Sequence, residues 1–77
     1  METIRLHIET QGRHGKTVTV LEGFTRSADY LQKLTRKIKT TCGTGGTLKG
    51  TVIEIQGDIR LKVKPILIEE GFGVKGF

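Results

Sequence analysis

The chain has 77 residues, of which 13 are Lys or Arg and 8 are Asp or Glu, so its formal net charge at pH 7 is +5. This length predicts one small domain spanning residues 1–77. The single cysteine, Cys42, excludes an internal disulfide, and two distant histidines cannot complete a zinc site with it. No apolar run approaches the roughly 18 residues of a membrane span. We expect a cytoplasmic protein that binds no membrane, metal or cofactor.

The first part of the chain predicts a β-hairpin with a basic tip. Ile4, Leu6 and Ile8 alternate with polar residues, and residues 17–21 are rich in β-branched side chains. Period-two alternation and β-branched density are typical of paired strands. The loop between the strands contains two glycines and the cationic or hydrogen-bonding residues Arg13, His14 and Lys16. A basic tip of this kind suits contact with phosphate.

An amphipathic helix is predicted next, from an N-cap at Ser27 to a stop at Cys42-Gly43. Asp29 lies in the first turn, where the helix dipole favours an acidic residue. Apolar or small residues recur at helical spacing and predict the buried side: Ala28, Leu31, Leu34, Thr35 and Ile38. Four cations are predicted on the opposite side: Lys33, Arg36, Lys37 and Lys39. Either this is an ordinary solvated surface or it binds an acidic partner.

The second half predicts a glycine-rich turn over Thr44–Gly50, which holds Lys49, and then a strand over Thr51–Gln56. Asp58 follows that strand and is expected to cap a second helix. Residues 59–64 alternate like a strand, yet the apolar spacing through Leu67 is also helical.

We favour a helix over Ile59–Glu70, bent or restarted near Pro65, followed by a short edge strand over Val74–Phe77. The predicted order is β-β-α-β-α-β. It indicates an α+β two-layer sandwich with two helices on one face of a mixed sheet.

The sequence argues against an enzyme. Gly15-Lys16-Thr17 is similar to the end of a phosphate-binding P-loop, but Thr10 stands where that motif requires glycine, and a strand rather than a helix follows. His7 and His14 have no acidic residue at a spacing typical of a catalytic dyad. Cys42 at a helix C-terminus is not activated by the dipole. We therefore expect no catalytic residues.

A double-stranded or folded RNA is the acidic partner that these features favour, because such RNA is recognised largely through phosphates and 2′-hydroxyls. The few aromatic residues form no stacking pattern on a strand, which argues against binding of single strands.

Taken in order, these motifs resemble the eukaryotic-type translation initiation factor 1 family, and particularly its short bacterial homologues. The resemblance covers about Gln11 to Phe77. It rests on the Gly12–Lys16 loop, the basic helix, Cys42–Thr47, the stretch Ile53–Asp58 with Arg60, and the helix end at Glu70-Gly71-Phe72.

The resemblance implies an α/β sandwich that binds small-subunit rRNA near the decoding site and controls initiation fidelity. Initiator tRNA is a further implied partner, and we expect a monomer. The expected RNA contacts are Arg13, His14, Lys16, Lys33, Arg36, Lys37, Lys39 and Lys49. A general RNA-binding module, or a protein–protein adaptor that uses the second helix, stands as the alternative.

Overall fold

The computed structural model describes residues 2–10 and 16–76, which form five strands and two helices. In chain order these are β1 (Thr3–Glu9), β2 (Val18–Glu22), α1 (Ala28–Cys42), β3 (Gly46–Lys49), β4 (Val52–Gln56), α2 (Arg60–Glu69) and β5 (Gly73–Lys75). No helix in these described ranges is both long and apolar enough to cross a membrane.

The strands form one mixed sheet in the order β3-β4-β2-β1-β5. β2 is central and antiparallel to both neighbours, with Leu21 opposite Leu6 of β1 and opposite Ile53 of β4. β5 runs parallel to β1 at one edge, where Val74 lies opposite Ile4. The predicted mixed sheet and the predicted edge strand are therefore confirmed, although Phe77 lies outside the described residues.

One face of the sheet carries the core, because alternate residues of a strand point to the same side. Ile4, Leu21 and Ile53 are fully buried on that face. Both helices pack there, since their buried residues join the same cluster. The helical members are Leu31, Leu34, Ile38, Val63, Ile66 and Leu67. The predicted two-layer sandwich, with both helices on one face, is confirmed.

The helix α1 begins and ends where its capping residues predict. The Ser27 hydroxyl accepts a hydrogen bond from the Tyr30 N–H at 3.2 Å. At the other end, Gly43 has a left-handed φ of 66°, and its N–H donates to the Lys39 carbonyl. Such a conformation favours glycine and terminates the helix.

The predicted turn over Thr44–Gly50 is wrong in one respect, because it contains the strand β3. Gly46 lies so close to β4 that a Cβ there would sit 2.5 Å from Ile55 Cδ1 and 2.9 Å from the Glu54 carbonyl oxygen. The glycine therefore permits close strand packing rather than a bend. The true turn is the two-residue hairpin loop Gly50-Thr51, whose first residue has a φ of 61°.

The second helix is confirmed as a helix, but its N-cap position is Ile59 rather than Asp58. Ile59 provides no side-chain hydrogen bond. Asp58 precedes it and binds the Arg60 guanidinium through both carboxylate oxygens, each at 2.9 Å, while its Oδ1 also accepts the Arg60 N–H at 3.4 Å. The helix continues across Pro65 as a single element. Pro65 has no N–H to donate to the Leu61 carbonyl, four residues earlier. Both residues are exposed, so water can supply the missing hydrogen bond.

Candidate nucleic-acid interface

The solvent side of α1 carries a polar row formed by Lys33, Arg36 and Thr40. Their spacing of three and four residues aligns them on one side of the helix, opposite the buried Leu31 and Ile38. All three are exposed, and neither Lys33 nor Arg36 forms an ion pair with any residue that the structure describes. Their donors are therefore available to an anion in solvent. We call Lys33, Arg36 and Thr40 the α1 row.

A shallow concavity of about 340 Å³ follows this row, and its lining residues are Lys33, Arg36, Lys37, Thr40 and Thr41. Three of the five are cations, and the other two carry hydroxyl groups. An Arg guanidinium holds a phosphate through two parallel hydrogen bonds, whereas a lysine acts as a point charge. The surface suits a polyanion and has no feature of an enclosed catalytic cleft.

The two remaining cations of α1 flank the row on opposite sides. Lys39 is half-buried and turned toward β3, where its side chain approaches Gly46. It lines a second concavity of about 220 Å³ together with Arg36 and Leu48. Lys37 is turned the other way, toward α2. The four predicted cations thus spread around the exposed half of the helix rather than forming one line.

Lys37 has an acidic partner that the helix pattern does not reveal. Its Nζ lies 3.2 Å from Glu70 Oε2, at the end of α2. The Tyr30 hydroxyl donates to the other oxygen of the same carboxylate at 2.7 Å. These two hydrogen bonds, first from Tyr30 and then from Lys37, hold the pKa of Glu70 below its usual value. Burial, followed by the bond to Glu70, raises the pKa of Tyr30 to about 12.

Lys16 lies at the same end of the sheet as the C-terminus of α1. The Gly45 carbonyl, just after α1, accepts a hydrogen bond from the Gln56 N–H at 2.9 Å. The next amide, that of Gly57, donates to the Thr17 carbonyl at 2.7 Å. These contacts connect the end of α1 to the residue that adjoins the exposed Lys16. The predicted loop contacts Arg13 and His14 lie outside the described residues.

The structure does not bring Lys49 together with these residues. It ends β3 beside the Gly50-Thr51 loop, at the far end of the sheet from Lys16. Because Leu48 packs against the core, the next side chain points to the opposite face of the sheet. On that face Lys49 Nζ lies 3.4 Å from Glu54 Oε1. Lys49 is therefore separated from the α1 row by both position and orientation.

Sequence reasoning did not select Lys62, an exposed cation of α2. Burial raises the pKa of the Cys42 thiol, and the charge of Lys62 partly opposes this effect. The sequence offered no signal for it, because the strand-like alternation of residues 59–64 left the orientation of each side chain open.

Comparison with known proteins identifies the family of this chain. Residues 1–75 match the family described as "Translation initiation factor SUI1". A protein translation factor SUI1 homolog of Methanocaldococcus jannaschii is 42% identical over 71 residues, which cover 92% of this chain and 68% of that relative. An uncharacterized protein of Synechocystis is 43% identical over 74 residues, covering 96% and 67% of the two chains.

A bacterial relative named YciH gives a similar match. This uncharacterized protein of Salmonella typhimurium is 40% identical over 72 residues, which cover 94% of this chain and 67% of the relative. These matches confirm the resemblance that the sequence motifs indicate. The chain belongs to the SUI1 family of translation initiation factors.

Proposed function

We propose that this protein binds the small ribosomal subunit through phosphates of its rRNA and controls the fidelity of translation initiation. Family membership supports a role as a translation initiation factor. The observation that carries the proposed contact is the α1 row, in which Lys33 and Arg36 are exposed and form no ion pair with a described residue. Initiator tRNA is a second proposed partner, and the site of action is the cytoplasm, where ribosomes initiate.

Folded rRNA fits this surface for physical reasons. A-form helices present their phosphates outward along a shallow minor groove, so a protein recognises them mainly through shape and charge. A rigid helix with donors at Lys33 and Arg36 can lie along such a backbone without reading bases. Lys16 would extend the contact at one end of the sheet, and RNA contacts of Arg13 and His14 stay predictions from the sequence.

Paired alanine variants test this proposal. Lys33→Ala with Arg36→Ala removes two charges from the α1 row. Lys49→Ala with Lys75→Ala removes the same charge from exposed positions in β3 and β5. Binding to purified small ribosomal subunits is measured by sedimentation over a range of salt concentrations. We expect only the first pair to weaken binding strongly and to reduce the salt slope by about 1.5 to 2, because each phosphate contact releases counterions.

Three results would contradict the proposal. Wild-type protein that does not sediment with small subunits would remove the ribosomal target. Equal binding to subunits and to an unrelated RNA duplex would favour a general RNA-binding module. Equal losses in the two variant pairs would mean that net charge, rather than the α1 row, determines binding.

The solvent side of α2 favours one other candidate, a protein–protein adaptor. Leu61 is 80% exposed and Ile68 is 54% exposed, and both lie on that side. Leu61→Ser with Ile68→Ser should leave subunit binding unchanged if rRNA phosphates are the target. Loss of binding in this variant, with binding retained in the α1 row variant, would favour the adaptor instead.

A further inference from the structure

We infer that Glu70 limits the RNA affinity of this protein by holding Lys37 in an ion pair that an RNA phosphate must displace. The inference rests on the proposed function of the α1 row. Lys37 differs from the other cations of α1 in one respect. Within the described ranges, Lys33, Arg36 and Lys39 form no ion pair, whereas Lys37 binds Glu70 at 3.2 Å.

The carboxylate of Glu70 is held in place by a hydrogen bond on the side away from Lys37. Its Oε1 accepts the Tyr30 hydroxyl at 2.7 Å, while Oε2 faces Lys37. The Tyr30 ring is itself fixed against Phe72, with ring centroids 6.3 Å apart, and against the Arg26 guanidinium, 5.1 Å from its centroid. Glu70 is therefore a positioned partner rather than a freely rotating surface residue. Its side chain is 27% exposed, whereas that of Lys37 is 48% exposed.

This pair lies directly beside the surface proposed to meet RNA. Glu70 lines a concavity of about 240 Å³ together with Tyr30, Lys33, Leu34 and Lys37. The concavity along the α1 row shares two of those residues, Lys33 and Lys37. A phosphate that approaches Lys33 consequently comes near the negative charge of Glu70. The phosphate can bind the ammonium group of Lys37 only by displacing the Glu70 carboxylate.

The exchange replaces one charged hydrogen bond by another, so Lys37 adds less to RNA affinity than a free lysine would. The carboxylate left behind also repels the incoming phosphate. Under the proposed function, such a limit keeps binding to the subunit reversible. Glu70 is in this sense a positioning residue, acting on RNA through Lys37.

The variant Glu70→Gln tests the inference in the full chain, since the glutamine carbonyl can still accept the Tyr30 hydroxyl. Binding to purified small ribosomal subunits should become about three- to fivefold tighter, the range expected when an exposed ion pair no longer competes. The salt slope should become steeper by about 0.7 to 0.9, corresponding to one further phosphate contact. Glu69→Gln is the matched control, because it changes the same charge at the neighbouring position.

A double-mutant cycle with Lys37→Met identifies the mechanism. If Glu70 acts through Lys37, the steeper salt slope of Glu70→Gln disappears in the Lys37→Met background, where only the smaller gain from lost repulsion remains. A steeper slope that persists there, or that appears equally in Glu69→Gln, would overturn the inference. If the wild-type protein binds subunits and Glu70→Gln binds them with the same affinity, the inference is refuted but the proposed function is not. Wild-type protein that does not bind subunits would refute the proposed function, and the inference with it.

Discussion

The helices α1 and α2 cover the same face of the sheet but present different surfaces to solvent. α1 buries Leu31 and Ile38 and turns Lys33 and Arg36 outward, as an amphipathic surface helix does. α2 carries apolar residues on both sides, among charged ones. Its inner side buries Val63, Ile66 and Leu67, and its outer side exposes Leu61, Pro65 and Ile68. Only for α1, therefore, does the sequence of the helix itself show which side is buried.

The two helices also begin differently. The N-cap of α1 is Ser27, the residue directly before the helix. The first amide of the α2 region, that of Ile59, instead donates to the hydroxyl of Thr19 in β2 at 3.0 Å. That hydroxyl donates to the Gly57 carbonyl at 2.6 Å. Local residues thus determine where α1 starts, whereas the start of α2 also depends on a contact with the sheet.

Truncating the two sides of α2 should give the largest contrast in stability. Leu67 is fully buried, so Leu67→Ala should lower the free energy of unfolding by about 2 to 5 kcal/mol. Leu61 is exposed, and Leu61→Ala should change it by less than about 0.5 kcal/mol. Urea denaturation followed by circular dichroism measures both. A large loss for Leu61→Ala would mean that the outer side of α2 is covered in the free protein.

Much of the fold was predictable because it follows from short patterns. The alternation of Ile4 and Leu6 identified β1, and Ser27 with Gly43 marked both ends of α1. The strand β3 was missed because its four residues begin with Gly46, and the reason for that glycine lies in the close approach of β4. A glycine-rich stretch predicts a turn unless the packing partner is known.

The candidate surface was predictable only in part. The periodicity of α1 showed that Lys33 and Arg36 point outward, because the helix period fixes that from local sequence alone. The ion pair of Lys37 was not visible, since Glu70 is 33 residues away in the chain and reaches it only through the packing of α2. Lys49 was selected by charge alone, and only the sheet register reveals its position.

The start of α2 offers a second, smaller contrast, between Thr19 and Asp58. Thr19→Val leaves the Ile59 N–H and the Gly57 carbonyl without their partner in a buried position, which should cost about 1 to 3 kcal/mol. Asp58→Ala should have a smaller effect, because Asp58 is exposed and water can replace its contacts with the Arg60 guanidinium and, at 3.4 Å, with the Arg60 N–H. Thermal and urea denaturation compare the two. A greater loss in Asp58→Ala would restore Asp58 as the cap.

Glu2 stabilises the start of α1 through contacts with the residues just before the helix. Its carboxylate accepts the Thr25 N–H at 2.7 Å and the Thr25 hydroxyl at 2.8 Å, and it pairs with Arg26. The Arg26 guanidinium in turn lies 5.0 Å from the centroid of the Phe72 ring, beyond the end of α2. The bond from Arg26, followed by those from Thr25, lowers the pKa of Glu2 from 4.5 to about 2.

Glu2→Gln should have the smallest effect, and it should depend on pH. Because the pKa of Glu2 is lower in the folded protein, its contribution is fully present above pH 4.5 and is lost as the pH falls toward 2. The Tm of Glu2→Gln should therefore lie below that of the wild type at pH 7, and the difference should shrink between pH 4.5 and 2. Glu69→Gln, which removes a carboxylate without a hydrogen bond to any described residue, should track the wild type throughout. If the difference in Tm between Glu2→Gln and the wild type stays constant down to pH 2, the charge of Glu2 does not stabilise the start of α1.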